Sequence, residues 1–302
     1  MRLAAIDIGS NAARLLIQEV TTYKDGSFDF TKINLVRVPL RLGFDVFETG
    51  IISDYKIGKL KETLKAFKHL LNVYEVKAMK VCATSAMRDA KNSAEIVRQI
   101  DKEIGINIEV ISGSREAEIL YETHLADSMD TKYRYLYIDV GGGSTELTYF
   151  SRNVVPEKKS FNIGTIRILK DNVGLDVWED MKSFIKLNAK SPLPLMAIGS
   201  GGNINKIFSM SKRKPGKPLP LEALKDFYKE MQPLSVADRI HQYGFREDRA
   251  DVIVPALQVY IQVMRWAGIT DIMVPQIGLA DGLIHLLHQE MSFTSLMGTG
   301  KV

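Results

Sequence analysis

The sequence is poor in cysteine. Its 302 residues include a single one, Cys82. A disulfide scaffold within the chain is therefore excluded, and a reducing compartment is the default. Cys82 sits in the apolar run Met79–Ala83 with no histidine near it in sequence, so it reads as a small buried hydrophobe rather than a nucleophile. Long apolar runs are missing too. No uncharged stretch approaches the ~20 residues of a membrane span, and Asp7 interrupts the N-terminal apolar segment where a signal peptide needs an unbroken core. A soluble, cytoplasmic protein is expected. Charge of one sign is also scarce: 40 basic against 36 acidic residues leave a formal net charge of +4. That surplus suits an anionic ligand without demanding one. His285 and His288 lie three apart with no third ligand nearby, and read as partial core or surface rather than zinc ligands.

What is present is enough for real cores, since 45% of the residues are hydrophobic. The most informative stretch is Tyr137-Ile-Asp-Val-Gly-Gly-Gly-Ser-Thr-Glu-Leu147. A β-prone run delivers Asp139. Gly141, Gly142 and Gly143 follow, then Ser144, Thr145, Glu146 and a second β-prone run. The pattern predicts strand, tight turn, strand. Glycines let backbone N–H groups crowd round an anion, because φ > 0 is open and no Cβ intrudes. An acid at the strand end suits a divalent cation.

The pattern occurs twice. Residues 3–17 read Leu-Ala-Ala-Ile-Asp-Ile-Gly-Ser-Asn-Ala-Ala-Arg-Leu-Leu-Ile. Superposing Asp7 on Asp139 aligns Ile6 with Ile138, Ile8 with Val140, Gly9 with Gly141 and Leu15 with Leu147. An internal repeat outweighs any local signal in fixing a fold. Two similar halves are expected, facing across a cleft where a phosphate chain is gripped from both sides.

Taken in order, residues 27–38 predict a third strand, and a loop runs from Arg41 through Gly43 to Gly50. Ile57, Leu60, Leu64, Phe67 and Leu71 mark an amphipathic helix over 53–71, with Lys61, Lys65 and Lys68 on a solvated face. Strand 76–83 feeds a loop carrying Arg88, which either forks onto phosphate or is an ordinary surface arginine. Strand 106–111 feeds a helix running to about Ala126, with Ser112 or Ser114 as N-cap. Glu116 in its first turn, taken alone, answers the helix dipole. A further strand is expected over 154–162, with Gly164–Arg167 opening the next element. Gly199-Ser-Gly-Gly-Asn203 forms a second glycine-rich loop, either an anion site or a plain turn. Residues 212–218 are basic and breaker-rich, either solvated or a polyanion contact. The last residues, 293–302, are small and read as a fraying tail.

Five motifs narrow the reading: Ile-Asp-Ile-Gly-Ser-Asn at 6–11, Ala-Thr-Ser-Ala-Met-Arg-Asp-Ala-Lys-Asn at 83–92, Ile-Ser-Gly-Ser-Arg-Glu-Ala-Glu at 111–118, Ile-Asp-Val-Gly-Gly-Gly-Ser-Thr-Glu at 138–146 and Arg-Ala-Asp-Val-Ile at 249–253. In this order they resemble the exopolyphosphatase / guanosine pentaphosphate phosphohydrolase (Ppx/GppA) family in its short, two-domain form. The resemblance implies an α/β fold of two actin-like (ribonuclease-H-like) ATPase-superfold domains flanking a cleft. Residues 1–124 would form the first and 125–281 the second, with a closing helix of about 282–302 packing back on the first. It implies an exopolyphosphatase that releases orthophosphate, with Glu116 orienting or deprotonating the attacking water. Asp139 would hold Mg2+ (or Mn2+), and Glu146 would help hold the metal or the catalytic water. Gly141, Gly142, Gly143, Ser144 and Thr145 would grip phosphate from one side, and Asp7, Gly9, Ser10, Asn11 and Arg88 from the other. Inorganic polyphosphate or guanosine pentaphosphate is the implied ligand, with no nucleic acid or membrane partner, and a homodimer is expected.

Two departures bear on substrate. Phe44 and Asp45 replace the glycine-rich part of the family's Arg-Leu-Gly-x-Gly loop, and Gly-Leu-Ala-Asp-Gly at 278–282 replaces Gly-Leu-Arg-Glu-Gly. Each could shift preference toward shorter chains or nucleotides. Three other readings stay open: a guanosine pentaphosphate 5'-phosphohydrolase, a non-catalytic (p)ppGpp-binding sensor and a kinase of the same superfold.

Overall fold

The computed structural model describes residues 1–25, 27–122, 130–151 and 156–298. The chain divides into two compact units, Met1–Leu125 with Leu279–Val302, and Ala126–Gly278. The expected boundary at 124/125, the expected helix end near Ala126 and residues 299–302 of the expected tail lie outside the described residues. So does the start of the strand expected from Val154.

The first unit opens on three antiparallel strands, β1 (Arg2–Ile8), β2 (Ala12–Thr22) and β3 (Phe28–Pro39). Helices α1 (Leu42–Thr49) and α2 (Asp54–Val73) lead to β4 (Ala78–Ala83), which lies parallel to β1. Short α3 (Ser85–Asp89) and α4 (Ser93–Ile104) precede β5 (Glu109–Val110), and α5 (Gly113–Glu122) follows. The sheet order is β3-β2-β1-β4-β5.

Helix α2 shows how pattern becomes packing. The Ser53 hydroxyl caps it by accepting from the Lys56 N–H, and Leu60, Leu64, Phe67 and Leu71 form its buried face. Each such side chain contributes about 1.5–3 kcal/mol when removed from water. The lysine face does more than meet solvent. Lys61 reaches Gln99 and Glu103 of α4 at 2.9 and 2.8 Å, and Lys68 donates to the Ile104 carbonyl.

The stretch expected as a loop at 41–50 is helix α1 instead. Gly43 inside it and the left-handed Arg41 before it (φ 54°) disguise it in sequence. Burial of Leu42, Val46 and Phe47 forms it, and Gly50 ends it in the left-handed conformation.

The second unit repeats the plan. Strands β6 (Arg134–Val140), β7 (Thr145–Phe150) and β8 (Glu157–Phe161) are antiparallel. Helices α6 (Thr165–Leu169) and α7 (Leu175–Asn188) lead to β9 (Leu195–Ser200), parallel to β6. After α8 (Gly202–Met210) come the short strand β10 (Leu219–Pro220), α9 (Leu221–Met231), α10 (Val236–Tyr243), α11 (Glu247–Ala250), α12 (Ile253–Ala267) and β11 (Asp271–Met273). The order is β10-β11-β9-β6-β7-β8. Reversed, β8-β7-β6-β9-β11 matches the first sheet strand for strand.

Alternation accounts for the second core. Leu136, Ile138 and Val140 of β6 join Leu147 and Tyr149 of β7, and the apolar helix α12 packs with them. In the first unit the closing helix α13 (Leu279–Gly298) packs on β1, β4 and α5. On it His285 stacks against Phe30 at 3.8 Å and His288 meets Phe28 at 4.7 Å. The histidine pair is thus aromatic packing. Among the described residues no helix is long and apolar enough to cross a membrane.

Candidate active site

The site residues of the first unit stand at the carboxyl ends of its strands. Asp7 ends β1, and directly opposite it in the antiparallel register is Arg14 of β2. Opposed residues share a face, and here they close an ion pair, Arg14 Nη1 to Asp7 Oδ2 at 2.6 Å. The Gly9 N–H donates to the Ala12 carbonyl at 3.0 Å, which sets the turn. The Ser10 and Ser85 hydroxyls share a buried hydrogen bond of 2.7 Å. The Asn11 carbonyl accepts from the Leu40 and Arg41 N–H groups.

Arg88 and Glu116 come together. Arg88 donates to the Ile111 carbonyl at 3.0 Å, just ahead of α5, and its Nη1 lies 4.0 Å from Glu116 Oε2. The Ser112 hydroxyl caps α5 by accepting from the Arg115 N–H. Glu116 follows in that first turn and is only 8% exposed. A carboxylate in a helix's first turn answers the dipole; this one is in addition buried beside a guanidinium.

The departures from the family pattern have local roles. Arg41 stacks over the Phe44 ring at 4.0 Å. Asp45 pairs with Lys56 at 2.5 Å and accepts from the Ser53 N–H. Burial pushes the Asp45 carboxyl up, and these hydrogen bonds outweigh it, so the group lies below its ordinary value. Asp281 accepts from Gln18 at 3.1 Å, with Lys32 at 3.8 Å.

In the second unit Asp139 ends β6 and faces Glu146 of β7. Their carboxylate oxygens lie within 4.8 Å of one another. Glu146 is 2% exposed and accepts from the Ser160 hydroxyl at 2.8 Å. Two carboxylates this close, one of them buried, repel unless a cation or proton lies between them. Hard oxygen donors suit magnesium or manganese, so the residues present fit a divalent ion.

The glycine turn between them is clamped from behind. The Gly141 N–H donates to the Ser144 carbonyl at 2.9 Å. The Gly141 and Gly142 carbonyls accept from the Thr165 and Ile166 N–H groups at 3.0 and 2.8 Å. The Gly143 carbonyl accepts from Arg167 Nε at 2.7 Å. A trans peptide points its N–H opposite to its C=O, and no described peptide is cis. The N–H groups of Gly142, Gly143 and Ser144 therefore face away from α6 as a row of donors. Behind the turn a Cβ on Gly164 would come 2.4 Å from the Gly142 oxygen and the Gly143 backbone, so only glycine fits there. Thr145 is fully buried, and its hydroxyl donates to the Ile163 carbonyl.

The second glycine loop lies against Asp139. Gly201 has φ 113°, and a Cβ there would lie 3.3 Å from Asp139 Oδ1. The buried Tyr260 hydroxyl donates to the Ser200 carbonyl. Full burial, then the nearby Asp139 and Tyr137, raises this phenol well above its ordinary value, so it stays a donor.

Sequence reasoning did not single out Arg14, Ser85, Gly164, Arg167 or Tyr260 as site residues. Arg14 alone left a usable trace: it stands at the same offset from Glu146 as Asp7 does from Asp139.

Two units of this plan, each opening on an acid–glycine hairpin, make the chain an α/β protein of the actin-like ATPase superfold. Residues 20–290 match the sequence model of the Ppx/GppA phosphatase family, and the chain belongs to that family. A Ppx/GppA family member from Aquifex aeolicus has a similar structure, with TM-score 0.74, 26% identity, and 96% of this chain and 98% of that one covered. An exopolyphosphatase from Cytophaga hutchinsonii superposes with TM-score 0.82 at 24% identity, again covering 96% and 98%. Exopolyphosphatase 1 of Mycobacterium tuberculosis is 24% identical over the whole chain and 93% of its own length. A bifunctional 3-dehydroquinate synthase/phosphatase of Fusobacterium nucleatum is 33% identical over 55% of the chain, and the chain spans 25% of that relative's length.

Proposed function

We propose that the protein is a metal-dependent phosphoanhydride hydrolase that releases terminal orthophosphate from inorganic polyphosphate. The facing carboxylates Asp139 and Glu146, flanking a turn with three outward N–H groups, carry this reading, and relatives named exopolyphosphatase agree with it. Phosphoryl transfer asks a protein for positioning and charge stabilisation more than for covalent chemistry.

Glu116 serves as the base. It orients the attacking water and takes its proton as the new P–O bond forms and the terminal anhydride bond breaks. The shortened polymer departs with the bridging oxygen. The Gly142, Gly143 and Ser144 N–H groups hold the phosphoryl oxygens where charge develops. Gly141 sets the turn and Thr145 braces it. In the first unit Arg88 binds the chain, while Asp7, Gly9, Ser10 and Asn11 shape a second anion-facing turn. Asp139 and Glu146 would hold Mg2+ (or Mn2+), whose charge would neutralise the transferring phosphoryl oxygens. A homodimer is part of the same reading.

The test is orthophosphate release from medium-chain polyphosphate with magnesium, run beside guanosine pentaphosphate. Glu116→Gln should lower kcat by about 10²- to 10⁴-fold while magnesium and polyphosphate still bind. Full turnover in that variant removes Glu116 from its role. Faster turnover of the pentaphosphate moves the substrate to the nucleotide. Tight guanosine tetraphosphate binding without hydrolysis of either makes the protein a sensor.

A further inference from the structure

We propose that Arg167 is a positioning residue that latches the Gly143–Ser144 peptide, and so decides whether the glycine turn shows a donor or an acceptor to its anion. The ligand in this inference rests on the phosphatase reading; the latch rests on the geometry of the turn.

Three peptide planes make up the outward donor row. Two are fixed by backbone N–H groups, those of Thr165 and Ile166, and any non-proline side chain there would leave the donors in place. The third is fixed by a side chain, through Arg167 Nε on the Gly143 carbonyl at 2.7 Å. Turning over the peptide that follows Gly143 changes ψ of Gly143, which has no Cβ to oppose it, and carries Ser144 toward positive φ, which its Cβ resists. With that carbonyl unheld, the plane can turn over. The Ser144 N–H would then point back toward α6, and an oxygen with partial negative charge would face the phosphate.

The first unit shows the same clamp built without a side chain. There the Gly9 N–H bonds the Ala12 carbonyl as the Gly141 N–H bonds that of Ser144. The Asn11 carbonyl, equivalent to that of Gly143, takes two backbone donors, Leu40 and Arg41. In both units the segment after the third strand folds onto the turn. In the second this contact is close enough to require Gly164, because a Cβ there would strike the Gly142 oxygen and the Gly143 backbone at 2.4 Å. That approach brings Arg167 within reach. A guanidinium suits the role, since a charge-assisted bond is roughly twice as strong as a neutral one and its planar N–H holds a set direction.

The experiment compares the wild type with Arg167→Gln and Arg167→Lys by crystallography, tripolyphosphate calorimetry and thermal melting. Arg167→Gln should melt close to the wild type, show the Gly143–Ser144 peptide turned over, and bind tripolyphosphate about ten- to a hundredfold more weakly. Arg167→Lys, which keeps a charged donor, should recover part of that loss and keep the wild-type plane. An Arg167→Gln protein with the wild-type plane and wild-type affinity overturns the latch. If Arg167→Gln does not fold, Arg167→Ala decides by the same readings: wild-type affinity with the wild-type plane overturns the proposal, and weaker binding with a turned plane upholds it. A wild type that binds no tripolyphosphate would end the phosphatase reading, yet the orientation of the plane in the variants would still judge the latch.

Discussion

The two hairpins share a backbone and differ in charge. In both, the residue after the strand's aspartate and its apolar neighbour is a glycine whose N–H closes the turn onto a carbonyl three residues on, at 3.0 Å in one and 2.9 Å in the other. In both, the aspartate faces a residue seven positions later across the antiparallel pair. In the first unit that residue is Arg14, and Asp7 is neutralised internally. In the second it is Glu146, and Asp139 meets a second negative charge instead. One turn pairs its acid with a base across the strands; the other sets two acids side by side. The scaffold is the same in both, and a single cross-strand position sets the charge of each turn.

The largest effect should come from removing that distinction. Asp139→Asn leaves one carboxylate where two stood. Magnesium affinity, read by calorimetry, should fall by about two orders of magnitude or more, because a hard cation loses a charged oxygen ligand. Turnover should fall with it. The corresponding Asp7→Asn should leave magnesium binding unchanged, since Asp7 already has its cation in Arg14. Equal losses at the two aspartates would erase the comparison.

Next in size is steric. Gly164→Ala places a methyl where 2.4 Å is open. The turn must shift or the unit must loosen, at a cost of about 1–3 kcal/mol by analogy with overpacked cores. A fall in melting temperature should accompany weaker phosphate binding. Arg14→Ala should cost a similar or smaller amount, about 1–3 kcal/mol, by stranding a buried carboxylate. A third of the Arg14 side chain is in solvent, which places the loss toward the lower end. Arg14→Ala should spare magnesium binding, whereas Gly164→Ala should disturb the anion turn. That split in readout separates the two hairpins again.

Much of this was legible in the sequence, for definite reasons. The hairpins announced themselves because the pattern came twice; glycines after one apolar strand also make plain turns. Helix α2 was readable from Leu60, Leu64, Phe67 and Leu71. Helix α1 was not, since Gly43 and Gly50 punctuate it as they would a loop and its stability comes from burying Leu42, Val46 and Phe47. Strand β5 was expected over 106–111 and pairs only at Glu109 and Val110. At the site, the carboxylates and glycines stood out as residue types. Their partners did not. Arg14 matters through cross-strand register, Gly164 through what a Cβ would strike, and Arg167 through one bond to a carbonyl 24 residues earlier in the chain. The last two relations are not local, so no periodicity or composition carries them; the first is readable only once the repeat is aligned.

The smallest expected effect lies on the strand beside each aspartate. Cys82 stands next to Asp7 in the parallel register as Ser200 stands next to Asp139. Ser200 spends its hydroxyl on the Ile277 carbonyl at 2.9 Å. Cys82 is enclosed, and burial first, with Glu109 adding to it, pushes its thiol up to about 12. The thiolate is the reactive form, so at pH 8 the folded protein should show no alkylation by iodoacetamide over hours. One equivalent should react once guanidinium unfolds the chain, as intact-mass spectrometry would count. Early labelling of the native protein would mean that β4 separates from β1 in solution. The first hairpin would then be the looser of the two, opposite to what its internal ion pair implies.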